Sequence, residues 1–285
     1  MAGRQRRRPR RPARKIVATY MFNHNLGTYA FILRGKIMSQ RKGLTLTELL
    51  IVIFTIALLI IFLIPSVHID RPNAITTVCL ANQKSLSLAW IMYADDHNGT
   101  LVGGNVSNDR EKWPGCWTLP PVQDSNLSPL EQEQEGIRKG ALFYYIKNVE
   151  PYNCPADKRW SKLGQGYRSY SIAAGLNGEQ REMAVTKLEY IKTPDKKYVF
   201  VEETNPTGWT RGSWMLNPEG DSWIDPVAIR HEKGKVSTLS FADGHAEAYK
   251  WVDKRTLEMG QNQIPNQLQP DNPDLKYMQS GYAHK

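Results

Sequence analysis

His231, Asp243 and His245 are the side chains in this sequence best suited to hold a cation. An Asp-x-His pair in a turn offers a carboxylate and an imidazole at close range, and a second imidazole makes three ligands. Glu219, Asp221 and Asp225 in the preceding loop add further oxygen donors. The same Asp243-Gly244 dipeptide is also a hairpin signal that needs no ligand, because a type I′ turn demands positive φ at both central residues. Cys79, Cys116 and Cys154 allow one disulfide in three ways with a thiol left over, or three buried thiols. They are too few for a zinc ribbon. No G-x-S-x-G, H-E-x-x-H, P-loop or dinucleotide fingerprint occurs in the sequence. Glu202 and Glu203 are adjacent on a strand and point to opposite faces, so they are poor acid–base partners. The expectation is a protein that is not an enzyme. The loop tryptophans Trp209, Trp214 and Trp223 either form a surface for glycans or a protein partner, or pack in the core.

Residues 44–64, LTLTELLIVIFTIALLIIFLI, contain one charge, Glu48. As a helix they would reach about 31 Å, enough for the roughly 30 Å hydrocarbon core of a bilayer. Arg41 and Lys42 flank the N-terminal side, which keeps that end cytoplasmic and carries the rest of the chain across the membrane. A carboxylate in hydrocarbon is costly unless paired, and its own helix offers Glu48 no partner; the alternative is snorkelling into the headgroups. Pro65 and Pro72 interrupt the helix or end its first half. Between Ala74 and Tyr93 the pattern is helical again. Val78, Ala81, Ser85, Leu88, Ala89 and Met92 recur at three- and four-residue spacing and predict its packing face, widened by Leu86 and Tyr93. Asp95 to Gly99 stops it. Residues 100–165 read as loop-rich, with one small helix within 136–147. Strand-like runs at 167–173, 197–202 and 236–241 predict an antiparallel sheet, giving an α+β fold for residues 100–259. Residues 260–285 are rich in Gln, Asn and Pro and read as a tail.

The chain has 285 residues, with 37 Lys and Arg against 28 Asp and Glu. Twelve of the basic residues and none of the acidic ones fall in residues 1–43, which leaves 25 basic against 28 acidic residues, a net of −3, for the remainder. A nucleic-acid-binding domain carries its basic patch on the folded part, so nucleic acid is excluded as a partner.

Arg41-Lys42-Gly43-Leu44-Thr45-Leu46-Thr47-Glu48, followed by the apolar run and Pro65, resembles the processing motif of type IV prepilins and type II secretion pseudopilins. The resemblance implies cleavage by a prepilin peptidase after Gly43 and N-methylation of Leu44. Glu48 would pair with the amine of a neighbouring subunit, and Pro65 would kink the helix. It implies a pilin-like fold with a long N-terminal helix, whose first half (44–64) is transmembrane and whose second half (65–99) packs on a small sheet domain. The implied partners are the peptidase, other pilin or pseudopilin subunits and an inner-membrane assembly platform. The exported domain would lie in the periplasm or at the cell surface. Met38 would give a short leader, with residues 1–37 upstream of the true start, or residues 1–43 form one basic leader. His231 with Ser240-Phe241-Ala242-Asp243-Gly244-His245, together with the stretches around Cys79 and Cys154, is similar to the processing-associated module of large pilin-like families in planctomycetes and related bacteria. That similarity implies a Cys79–Cys154 disulfide, and the resemblance to major pseudopilins implies calcium as the ion for a C-terminal site.

Overall fold

A computed structural model describes residues 43–63, 71–109, 111–159, 166–203 and 212–285. The expected leader, residues 1–42, and the expected kink at Pro65 lie outside the described residues. The chain is mixed α+β and divides near residue 61 into two compact units.

Helix α1 (Leu46–Leu63) follows directly on Thr45. The Thr45 backbone N–H and hydroxyl both donate to Glu48 Oε2 at 2.9 Å, and the Glu48 N–H donates back to Thr45 Oγ1 at 3.3 Å. This Thr-x-x-Glu arrangement is a capping box, which satisfies amides that the first helical turn leaves without partners. It corrects the expectation that Glu48 lacks a partner in its own helix. Beyond the cap the surface is apolar all round: Leu49, Leu50, Ile51, Val52, Ile53, Phe54, Ile56, Leu59 and Ile60 are all exposed. Among the described residues no helix is long and apolar enough to cross a membrane.

The second unit opens with α2 (Arg71–Asp96). The chain continues through β1 (Gly103–Val106), β2 (Cys116–Thr118), α3 (Pro129–Arg138), α4 (Phe143–Ile146), β3 (Tyr170–Ala173) and β4 (Tyr198–Glu202). After β5 (Ser213–Trp214), β6 (Val236–Phe241) and β7 (Ala246–Lys250), two further helices follow, α5 (Lys254–Asn262) and α6 (Pro273–Gly281). The five-stranded sheet has the order β5-β3-β4-β6-β7. Its pairs are antiparallel, as the sequence led us to expect, except at one edge, where β5 runs parallel to β3. β1 and β2 form a separate parallel pair.

α2 lies against β6, β7 and β4 and turns Cys79, Gln83, Leu86, Ser87, Trp90 and Ala94 into the core. This reverses much of the packing face read from the sequence. Val78, Leu88 and Met92 are 46%, 45% and 50% exposed, and Ala81 and Ser85 are exposed too; Leu86 and Ala89 are buried. The helix is apolar on two sides, so three- and four-residue spacing alone could not tell which side the sheet covers. The sheet takes the side that carries Trp90. At its C-terminal end Asn98 and Gly99 both have positive φ, and Gly99 N–H closes on the Ala94 carbonyl at 2.8 Å, which ends the helix where expected.

Residues 260–285 are not a tail. Leu275, Met278 and Tyr282 are buried with Trp214, Trp223, Trp251 and Met259 in a second core cluster. The polar residues of this stretch cap helices instead of solvating a free end. Asn272 Oδ1 accepts from the Asp274 and Leu275 amides, and the buried Asp274 carboxylate accepts from Val252 N–H, Asp253 N–H and the Tyr249 hydroxyl. Trp214 and Trp223 are fully buried, which removes them from any recognition surface; Trp209 lies outside the described residues.

Candidate functional site

The turn between β6 and β7 is the hairpin that Asp243-Gly244 foretold, but of another type. Ser240 pairs with Ala246, and the Phe241 N–H reaches the His245 carbonyl at 2.9 Å, so the loop has three residues, Ala242, Asp243 and Gly244. Only Gly244 has positive φ, at 92°, as in hairpins closed by a left-handed residue after a turn. Asp243 Oδ1 accepts from the His245 amide at 3.1 Å and lies 2.6 Å from His245 Nδ1. Burial would raise the Asp243 carboxyl, but the hydrogen bonds and charge of His245 outweigh it and hold it below the usual range. The His245 ring stacks on Phe241 at 4.3 Å.

His231 is elsewhere. It bridges to Val236 at the opposite end of β6, about 20 Å of strand away at roughly 3.3 Å per residue. The expected His231–Asp243–His245 ligand set is therefore not assembled: the strand that links its members also separates them. Glu219, Asp221 and Asp225 do not complete it either. Asp225 Oδ2 accepts from Met215 N–H at 2.7 Å, and among the described residues neither these acids nor Asp243 and His245 join a metal-capable group.

What His231 does meet is a buried cluster. Cys79 on α2, Cys154, Glu202 at the end of β4 and His231 bring their donor atoms within 4.8 Å of one another. Cys79 Sγ and Cys154 Sγ are 2.8 Å apart as free thiols, so the pair implied by family resemblance is brought together, though not bonded. Cys116 is also buried and donates to the Trp113 carbonyl at 3.3 Å. Cys154 Sγ lies 3.5 Å from His231 Nε2, which lies 2.8 Å from Glu202 Oε1. Thr76 Oγ1 sits 3.2 Å from His231 Nδ1. The Thr238 hydroxyl and amide donate to Glu202 Oε1 at 2.5 and 3.3 Å, and Gln83 Nε2 donates to Thr238 Oγ1 at 2.9 Å.

A band of charge backs this cluster. Arg230 spans Glu202 Oε2 at 3.5 Å and Asp157 Oδ2 at 3.0 Å; Arg159 forks onto Asp157 at 2.7 Å, and the Ser169 hydroxyl donates to it at 2.8 Å. Burial opposes ionisation of Asp157, but Arg230 and Arg159 prevail and hold its carboxyl below the usual range. Burial likewise opposes a charged His231, yet its hydrogen bonds with Cys154 and Glu202 and the Glu202 charge raise the imidazole to about 10. Burial pushes the Cys154 thiol up. Glu203 points away from Glu202, as strand alternation requires, and takes the Ser171 hydroxyl; burial and the nearby Asp225 raise it to about 8.

No protein-family model, curated protein or solved structure matches this chain.

The sequence placed Cys79 with Cys154 by resemblance but His231 with Asp243 and His245, and missed Glu202 as a member. The contacts link residues 75 and 155 positions apart, and no local pattern records such pairings. The nearest signal was Glu202 itself, an acid closing an apolar strand, which has to find a buried partner.

Proposed function

We propose that this chain is a pilin- or pseudopilin-like structural subunit of a type II secretion or type IV pilus-like envelope assembly. Residues 44–64 hold it in the inner membrane with the N-terminus cytoplasmic, and the α+β unit is exported. The observation that carries this reading is that the chain holds both a capped, largely apolar helix and a folded unit that keeps a second, largely apolar stripe in solvent. Ala74, Val78, Ala81, Ser85, Leu88 and Met92 follow alternating spacings of four and three along the exposed side of α2. That is the repeat of a helix seam awaiting another helix.

Gly43 supports processing. It lies in non-helical chain just before α1, and a side chain built there would meet nothing within 4 Å. A peptidase can reach the Gly43–Leu44 bond without unwinding the helix. Glu48 then has two roles. Its Oε2 takes the Thr45 donors, and a carboxylate has acceptor sites left on its other oxygen for an amine of a neighbouring copy. Work of this kind is mechanical; among the described residues Glu219, Asp221, Asp225, Asp243 and His245 join no metal-capable group for the calcium implied by resemblance.

Glu48→Gln tests the reading. Glutamine preserves the capping box and removes only the charge. The variant is expected to insert into the membrane but to leave the sedimenting assemblies of the native host. Assembly at the wild-type level would overturn the pairing role of Glu48.

A further inference from the structure

We propose that Cys79, Cys154, His231 and Glu202 form a buried, closed zinc site that ties α2 to the sheet. The four donors come from separate parts of the chain: α2, the turn after α4, the end of β4 and the approach to β6. Two sulfurs, one imidazole nitrogen and one carboxylate oxygen, all buried, match the coordination number and donor softness of structural zinc. Calcium and magnesium want more oxygens and no thiolate.

The geometry is close to that of a filled site. Around tetrahedral zinc, bond lengths of about 2.3 Å to sulfur and about 2.0 Å to nitrogen or oxygen place neighbouring ligand atoms roughly 3.3–3.8 Å apart. Cys154 Sγ to His231 Nε2 is already 3.5 Å. The Cys79–Cys154 and His231–Glu202 edges, each 2.8 Å, have to open by less than about 1 Å. The ion takes the place of the proton now shared between His231 Nε2 and Glu202 Oε1. That proton and the two thiol protons pass to water, and no electrons move.

The surrounding shell is the kind that orients metal ligands. Thr76 Oγ1 at His231 Nδ1 presents Nε2 to the site, and Thr238 and Arg230 fix the Glu202 carboxylate. Two thiolates and a carboxylate around a dication leave one negative charge, next to the Arg230 guanidinium. A disulfide would engage only the two sulfurs, and it excludes the metal.

The test uses the full chain, purified in detergent with its thiols reduced. Zinc content should reach one per chain. Replacing zinc with Co²⁺ should give the visible bands of a tetrahedral site and thiolate-to-cobalt charge transfer. Cys154→Ser and Glu202→Gln should abolish or shift these bands, whereas Cys116→Ser should leave them unchanged. Thr76→Val should weaken affinity about 10- to 100-fold while keeping the fold. The wild-type cobalt spectrum decides even if a ligand variant misfolds. Absence of a tetrahedral spectrum, a spectrum indifferent to Cys154→Ser, or isolation of the chain from its host with a Cys79–Cys154 disulfide in place would overturn the proposal.

Discussion

Leu86 and Leu88 sit two residues apart on α2 and should respond oppositely to the same substitution. Leu86 is fully buried, so Leu86→Ala removes its transfer energy and leaves a cavity, at a cost of about 2–5 kcal/mol in folding stability. Leu88 is 45% exposed and its site opens to solvent, so Leu88→Ala leaves no closed cavity and should cost about 1 kcal/mol. Assembly reverses the order. A neighbouring helix on the stripe would bury the remaining half of Val78, Leu88 and Met92, roughly 1 kcal/mol for each side chain. Leu88→Ala should therefore weaken subunit association about fivefold, and Leu88→Lys, which also desolvates a charge, far more. Urea unfolding of the purified chain reads the first effect as a midpoint shift at constant slope. Sedimentation of membrane extracts reads the second. Equal folding losses for the two alanine variants would show that the stripe belongs to the core of this chain. Normal assembly of Leu88→Lys would show that no copy packs there.

Other substitutions probe the folded unit. Asp157→Asn leaves Arg230 and Arg159, 10% and 11% exposed, without their shared carboxylate, and should cost about 3–5 kcal/mol. Because the folded Asp157 pKa lies below its ordinary value of 3.8, its stabilisation is present above that pH and is lost as pH falls through the folded value. The wild type should thus lose stability steeply below about pH 4. The asparagine variant should lack that limb, and identical acid limbs in chemical denaturation would refute the assignment. Trp214→Ala should lower the unfolding free energy by about 3–5 kcal/mol, because the ring is fully buried and donates to the Pro226 carbonyl at 3.2 Å. A variant that folds with wild-type stability and loses only a binding activity would restore the surface reading of the tryptophans.

The parts of this fold legible in the sequence are those set by local pattern. β6 was expected at the residues it occupies, and β3 and β4 within three residues, because β-branched and aromatic runs bounded by turn residues leave little choice. The stop of α2 at Asn98-Gly99 was equally local. α3 lies in a loop-rich stretch, yet Ser128-Pro129-Leu130-Glu131 spells a capping box with proline in the first turn. The C-terminal helices are hidden by a Gln-, Asn- and Pro-rich composition, although Asp253 and Asn272 each cap a helix that buries methionine or leucine. The face of α2 could not be read, since both its sides are apolar. The Cys79–Cys154–Glu202–His231 cluster depends on tertiary contacts between residues 29, 75 and 77 positions apart, which periodicity does not encode. Spacing misled most at His231, where a short sequence distance to Asp243 concealed an intervening extended strand.

The most direct test of the assembly account is the intact mass, with N-terminal sequence, of the mature chain extracted from its native membranes. The mature chain should begin at Leu44 and carry one added methyl on its amine. A chain that retains Arg41 and Lys42, or one that starts beyond Pro65, would contradict it.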